Sequence, residues 1–199
     1  MKKYELIESD FVKLLTGKRA YRIKRISTGE IGGFIESEKN LAHDGDAWVY
    51  GAAQVSGDAW VSGDAQVSGA AQVSGDAWVY GAAQVSGDAW VSGDAQVYGA
   101  AQVYGAAWVY GAAWVYGAAQ VSGDARVKDS RCYITISPLG SRNSALTGFM
   151  DGNTLRFSTG CYSGDENEFL AAVKEKHGGT SLGKEYVMAV ELIKLRFGK

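Results

Sequence analysis

The stretch that decides the fold is GDAWVSGDAQVSG, Gly57 to Gly69, which repeats one six-residue phrase with Gln66 in place of Trp60. Ala59 and Val61 stand two apart, so an extended chain turns both to one side and sends Trp60 and Ser62 to the other. Glycine at every sixth position supplies the backbone freedom for a bend. The phrase runs from Gly45 to Lys128 as fourteen consecutive hexads of the form Gly-(Asp/Ala)-Ala-(Trp/Gln)-Val-(Ser/Tyr), with Arg126 and Lys128 as late variants. A short strand and a bend, repeated without loops, predict a solenoid in which each unit buries its apolar side against its neighbours.

The columns tell inside from outside. Ala and Val hold their positions through all fourteen hexads, whereas the opposite side mixes Trp, Gln, Ser and Tyr. A narrow core demands constant small volume and a surface tolerates variety. Ala and Val are therefore expected inside and Trp outside.

The frame Val-Ser-Gly-Asp-Ala-Gln, Val61 to Gln66, resembles the hexapeptide motif of the trimeric LpxA-like acyltransferase superfamily. The flanks GGFIESEKNL (Gly32 to Leu41) and ISPLGSRNS (Ile136 to Ser144) further resemble phage- and prophage-encoded hexapeptide-repeat proteins of no assigned activity. The resemblance implies a mainly β protein built on a left-handed parallel β-helix, with three hexads closing each triangular coil of 18 residues. The expected organisation is a short N-terminal cap at 1–31, the helix at 32–128 and a small α+β capping domain at 129–199.

Stacking every third hexad defines three faces. The first carries Trp60, Trp78, Gln96 and Trp114, followed by Ser62, Tyr80, Tyr98 and Tyr116, with Asp58, Asp76 and Asp94 at its corner. The second carries Trp48 and then Gln66, Gln84, Gln102 and Gln120. The third carries Gln54, Gln72, Trp90, Trp108 and Arg126. Ile35 and Leu41 continue the Ala column backwards in steps of six. YRIKRI, Tyr21 to Ile26, alternates and reads as a strand covering the first coil. The corner Asp residues read as turn formers that hydrogen-bond through their own side chains; no metal site is assigned to them.

Beyond Lys128 the period stops. CYITI and ALTGFMDGNTLRFSTGC read as strands with a hairpin at Asp151-Gly152. Ser163 and Glu166 form a capping-box pattern ahead of a helix carrying Phe169, Leu170 and Val173. A second amphipathic helix places Tyr186, Val190, Ile193 and Phe197 on one face. This region is expected to seal the last coil against end-to-end pairing.

The formal net charge is -2, but seven Asp and no Lys, Arg or Glu lie between Gly45 and Ala125. An anionic middle argues against nucleic acid along the helix, since phosphate contact needs Lys and Arg. Two cysteines, Cys132 and Cys161, are too few for a disulfide framework and read as free thiols, with a single structural bridge as the alternative. The charged N-terminal stretch lacks the apolar run of a signal peptide, and no segment reaches a membrane span, so a cytoplasmic protein of a bacterial host is expected.

Acyltransferases of the resembled superfamily use a His base near a cleft between subunits. The chain has two His, His43 and His177, with His43 able to pair with Asp44 or Asp46. No loop interrupts a hexad, so no catalytic residue, metal or cofactor is assigned. Candidate binding residues are Ser141, Arg142 and Asn143, a polar turn suited to an anion, and Cys161 ahead of a helix. The candidate assembly face is Trp60, Trp78, Trp114, Tyr80, Tyr98 and Tyr116, an aromatic stripe unusual on a monomer. The expected function is a non-enzymatic scaffold that forms a homo-oligomer, a trimer, and presents its terminal domains to a host protein. The alternatives are a binder of a host metabolite or nucleotide and an acyltransferase-like enzyme. Residues 45–74 recur at 75–104 with changes only at Ser68/Tyr98 and Ser74/Tyr104. Five hexads are not a multiple of three, so the copy shifts each residue to another face and points to continuity of the coil as the property maintained.

Overall fold

The computed structural model of the chain describes residues 2–140, 142–160 and 162–199. Fourteen two-residue strands, from Trp48–Val49 to Arg126–Val127, each pair in parallel with strands three hexads before or after. Gln54 thus faces Gln72, Trp60 faces Trp78 and Gln66 faces Gln84, a coil of 18 residues. The protein is mainly β, a parallel β-solenoid of about five turns with three sheets in the order given by the three faces.

Every Ala and Val of the two inner columns, Ala47 through Val127, is fully buried. One alanine and one valine per side fill a triangular section, and the glycine between sides turns the corner with φ between 62° and 72°. That left-handed conformation strains any L side chain. At most corners it also brings the glycine against the next coil: a Cβ on Gly69 would lie 2.9 Å from the amide nitrogen of Gly87.

The N-terminal end differs from the sequence reading in phase. Ile35 pairs with Val55 and Leu41 bridges to Val61, so both occupy the Val column and not the Ala column. Eight residues separate Leu41 from Val49 where the repeat allows six. The two extra residues widen one corner, at Ala42–Asp46. The larger Ile and Leu suit the Val column, where adjacent coils pair. Above them, β1 (Tyr4–Lys13), β2 (Arg19–Arg25) and β3 (Ile31–Ile35) extend the third face by an antiparallel hairpin and a joining strand. The alternating segment is therefore a strand joined to the first coil through β3, and β1 adds to its other edge unforeseen. Tyr4 and Ile23 enter the core beside Trp48.

Trp48 is the exception to outward Trp. It is fully buried, with the Arg25 guanidinium 4.2 Å over its ring and Tyr4 edge-on at 6.1 Å. The open end of the first face is finished by Asn40, at the end of a short 3-10 turn, Glu38–Asn40. Its buried amide donates to the carbonyls of Gly57 and Ala59, both at 2.9 Å, and its oxygen accepts from the Ser37 amide at 2.8 Å. One side chain thus stands in for a missing strand.

At the other end β4 (Tyr133–Leu139), β5 (Ser144–Asp151), β6 (Thr154–Thr159) and β7 (Tyr162–Asp165) form an antiparallel meander. Asp151 pairs with Thr154, so the hairpin turn is Gly152–Asn153. Tyr133 and Phe149 plug the last coil, the Thr147 hydroxyl accepts from the Gln120 amide at 3.0 Å, and Ser130 accepts from that of Trp114 at 3.3 Å. Edge amides that would otherwise recruit another strand are thereby occupied.

Two helices, α1 (Glu166–His177) and α2 (Ser181–Phe197), cover the meander. Phe169, Val173, Tyr186, Val190 and Ile193 pack against Leu146, Leu155 and Phe157 in a second core. The cap of α1 is Asp165 with Glu168, not Ser163 with Glu166: Ser163 still belongs to β7. The Asp165 carboxylate accepts from the Glu168 amide at 2.9 Å, and the Glu168 side chain accepts from the Asp165 amide at 2.9 Å. Asp165→Ala is expected to destabilise the chain by about 1 kcal/mol, as loss of a side-chain cap does. Ser163→Ala loses only a 3.4 Å contact with the Ser122 hydroxyl and should cost less, and thermal denaturation of both variants checks the assignment.

Candidate functional site

The solenoid places two kinds of outward ladder in register. On the first face Trp60, Trp78 and Trp114 are 41%, 53% and 47% exposed, with Gln96 between the last two. Beside them Tyr80, Tyr98 and Tyr116 stack with centroids 4.9 and 5.4 Å apart, and Tyr116 ends edge-on against buried Tyr133 at 6.4 Å. Burial within that stack, then the neighbouring Tyr80 and Tyr116, raises the Tyr98 hydroxyl above its ordinary pKa. On the third face Trp90 and Trp108 stack at 4.9 Å and the Arg126 guanidinium covers Trp108 at 4.5 Å. The tyrosine column and the Trp90–Trp108–Arg126 column thus find ring and cation contacts within the chain, each adding up to about 1 kcal/mol, although Trp108 and Tyr116 stay 39% and 49% exposed. The first-face indoles carry no such cover among the described residues. Asp58, Asp76 and Asp94 point into solvent and make no side-chain hydrogen bond among the described residues, so the turn is set by the glycine alone.

The C-terminal domain holds a cavity of about 240 Å³ between the meander and α1. Its inner wall is Phe169, Val173 and Tyr186, all buried. Phe169 meets Tyr162 and Tyr186 edge-on at 5.5 and 5.9 Å, and the His177 ring lies along Tyr186 at 5.8 Å. Helical spacing explains the convergence: Phe169, Val173, Lys176 and His177 fall on one side of α1. Ser144 at the start of β5 and Thr159 at the end of β6 add hydroxyls 3.4 Å apart. Arg142 and Lys176 stand exposed at the opening, and among the described residues no carboxylate lines the cavity.

Of the sequence candidates, Ser141 and Cys161 lie outside the described residues. Arg142 and Asn143 form the turn between β4 and β5, with Asn143 in the left-handed region at φ 48°. The Gly140 amide at the base of that turn already donates to the Glu185 carboxylate at 3.1 Å. The turn therefore holds one of the chain's own anions, and Arg142 serves the cavity next to it. Ser144, the last residue of the polar GSRNS stretch, joins Arg142 at the cavity; sequence reasoning missed Thr159, Lys176, His177 and Tyr186, which meet only when α1 and α2 fold across the sheet. Cys132 is a free thiol, half-buried beside Asp129.

His43 sits in the widened corner of the first coil. It stacks on Tyr4 at 4.4 Å, its Nδ1 accepts from the Lys3 amide at 3.3 Å, and its Nε2 lies 3.6 Å from Glu38 and not beside Asp44 or Asp46. The Lys3 ammonium donates to the carbonyl of Ala47 at 2.9 Å and to that of Gly45 at 3.3 Å. Burial, then Arg25, lowers the Lys3 pKa, and burial raises that of Tyr4, whose hydroxyl donates to Leu41 at 2.7 Å. This cluster closes the end of the solenoid.

Between α1 and α2 runs a second, apolar groove along Leu170, Val187 and Met188, continued on α2 by exposed Leu192 and Leu195. No helix among the described residues is long and apolar enough to cross a membrane. Among the same residues no three His, Cys, Asp or Glu converge as a metal site would require.

Four segments, residues 53–69, 71–85, 83–99 and 119–132, match the YdcK Beta solenoid repeat. All four lie in or directly after the hexad tract, so the match concerns the repeat. No curated protein matches the chain.

Proposed function

We propose that the protein is a non-enzymatic scaffold, a solenoid rod that self-associates along its first face and holds its C-terminal domain out to a partner protein. The observation that carries this reading is the exposed row of Trp60, Trp78 and Trp114. Indoles are preferred anchors of protein interfaces because they bury much apolar area with little loss of side-chain freedom. Trp108 on the third face is 39% exposed but has the Arg126 guanidinium over its ring, whereas these three have no ring or guanidinium against them among the described residues. A three-sided rod with one adhesive side closes naturally as a trimer, three first faces turned to a common axis. The exposed apolar residues of α2 are the surface offered to the partner. The finer assignment, a hexapeptide-repeat protein of the trimeric LpxA-like kind encoded by a phage or prophage and working in the bacterial cytoplasm, rests on the motif and the flanking sequences.

The test is Trp60→Gln, Trp78→Gln and Trp114→Gln together. Gln96 occupies the same column in the same register, so the triple variant asks for nothing the solenoid does not already contain. Sedimentation velocity should give three times the 21.2 kDa chain mass for the protein and a single chain for the variant, with unchanged circular dichroism. A monomeric wild-type protein overturns the assembly.

A further inference from the structure

We infer that the cavity between the C-terminal meander and α1 binds a small organic anion, a carboxylate or phosphate monoester on a flat apolar body. This goes beyond the scaffold reading and stands whether or not the rods assemble. Two halves of the cavity recognise two halves of such a molecule. The inner half is aromatic and apolar, with Phe169, Val173 and Tyr186 buried and His177 flat against Tyr186. Aromatic walls in edge-on and stacked arrangement accept a planar ring at offset or perpendicular geometry.

The opening is cationic. Arg142 comes from the turn between β4 and β5 and Lys176 from the last turn of α1, and neither forms an ion pair among the described residues. Cations at a helix C-terminus such as Lys176 are favoured by the helix dipole without any ligand. Arg142 has no such explanation, because it lies on a hairpin turn and its neighbouring carboxylate, Glu185, is engaged with the Gly140 amide. An arginine fork and an ammonium at one opening, over the Ser144 and Thr159 hydroxyls, offer charge-assisted donors to a carboxylate or phosphate.

Volume limits the ligand. Apolar cavities of about 150 Å³ accommodate a benzene ring. The 240 Å³ here leaves room for a ring and one anionic head. A nucleotide would leave most of its surface outside, so the expected ligand has one ring.

The probes are phenyl phosphate and benzoate, with benzyl alcohol as the uncharged counterpart, each titrated calorimetrically into the full chain at low and at physiological ionic strength. Phenyl phosphate or benzoate should bind one per chain, more tightly at low salt because exposed cations are screened. Benzyl alcohol should bind at least roughly tenfold more weakly, and Arg142→Gln with Lys176→Gln should weaken the anion by a similar factor. Both substituted residues are exposed, so the melting temperature should fall by no more than the few degrees that losing the Lys176 cation from the end of α1 costs. Ser144→Asp, which sets a carboxylate inside the cavity, should abolish binding. The inference is overturned if neither anion gives saturable heat up to about 10 mM. It is equally overturned if the affinity survives the double substitution, since the molecule then binds elsewhere.

Discussion

Gly69→Ala is expected to lower the melting temperature far more than Gly117→Ala, although both glycines turn the same kind of corner. Their φ angles are 71° and 66°, so each substitution places an L residue in the left-handed region and costs about 1 kcal/mol or slightly more on that account. The neighbours differ. The added methyl at Gly69 would meet the Gly87 backbone with its nitrogen and oxygen at 2.9 Å and its Cα at 3.2 Å, while at Gly117 nothing described lies within 4 Å. Backbone cannot swing away as a side chain can, so two coils must separate locally, and overpacking of this kind adds about 1–3 kcal/mol. In a chain of this length each kcal/mol is worth roughly 2–4 °C. Gly117→Ala should therefore lower the midpoint by a few degrees and Gly69→Ala by roughly 10 °C. Equal shifts would mean that backbone conformation alone, and not contact between coils, makes the corner glycine necessary.

Asn40→Asp is expected to be of similar size at neutral pH. The substitution removes the two donors that hold the Gly57 and Ala59 carbonyls and aims an oxygen at them instead. Buried acceptors left unpaired cost about 1–3 kcal/mol each, and a buried carboxylate adds to this. Burial without a cation raises the folded-state pKa of such a carboxyl above its unfolded value near 4. The deficit against the wild-type chain is then full at neutral pH and shrinks as pH falls through that raised value, because a protonated carboxyl regains one donor. Asn40→Ala lacks the charge and should show a smaller deficit that does not change with pH. Thermal melts of the three proteins at pH 7 and pH 5 decide it.

The solenoid was legible because each hexad states the same constraints again. Ala and Val at fixed places, with glycine at the sixth, fix inside, outside and corner for every unit, so one motif read correctly gives all fourteen. The first coil was misread for the same reason. Ile35 and Leu41 obey the step of six, and only pairing with Val55 and Val61 shows that two residues were added before Val49. The strand β1 was illegible because YELIESDFVK has no clean alternation, and its pairing with β2 shifts register between Ile7 and Phe11. Buried Trp48 could not be told from its exposed copy Trp78, since the difference lies in Arg25 and Tyr4, brought over it by the hairpin.

The C-terminal cavity was legible only in the GSRNS stretch, at Arg142 and Ser144. Other members lie at 159, 176, 177 and 186, separated by strands and turns, and nothing in their local sequence marks them as a set. Ser163 and Asp165 were both acceptable caps by residue type. The choice fell to Asp165 because β7 continues through Ser163 while pairing with β6.

The closing of one coil by three hexads makes the rod a screw thread. Each hexad advances the chain by a third of the pitch, about 1.6 Å for coils about 4.8 Å apart, and turns whatever follows through a third of a revolution. Gaining or losing one hexad would therefore leave the core intact and yet re-aim the C-terminal domain by 120° relative to the tryptophan row. Only changes in threes preserve its bearing. The repeated five-hexad block lengthened the shaft and indexed its head round to a new side in one event, so the number of repeats is a setting of direction as well as of length.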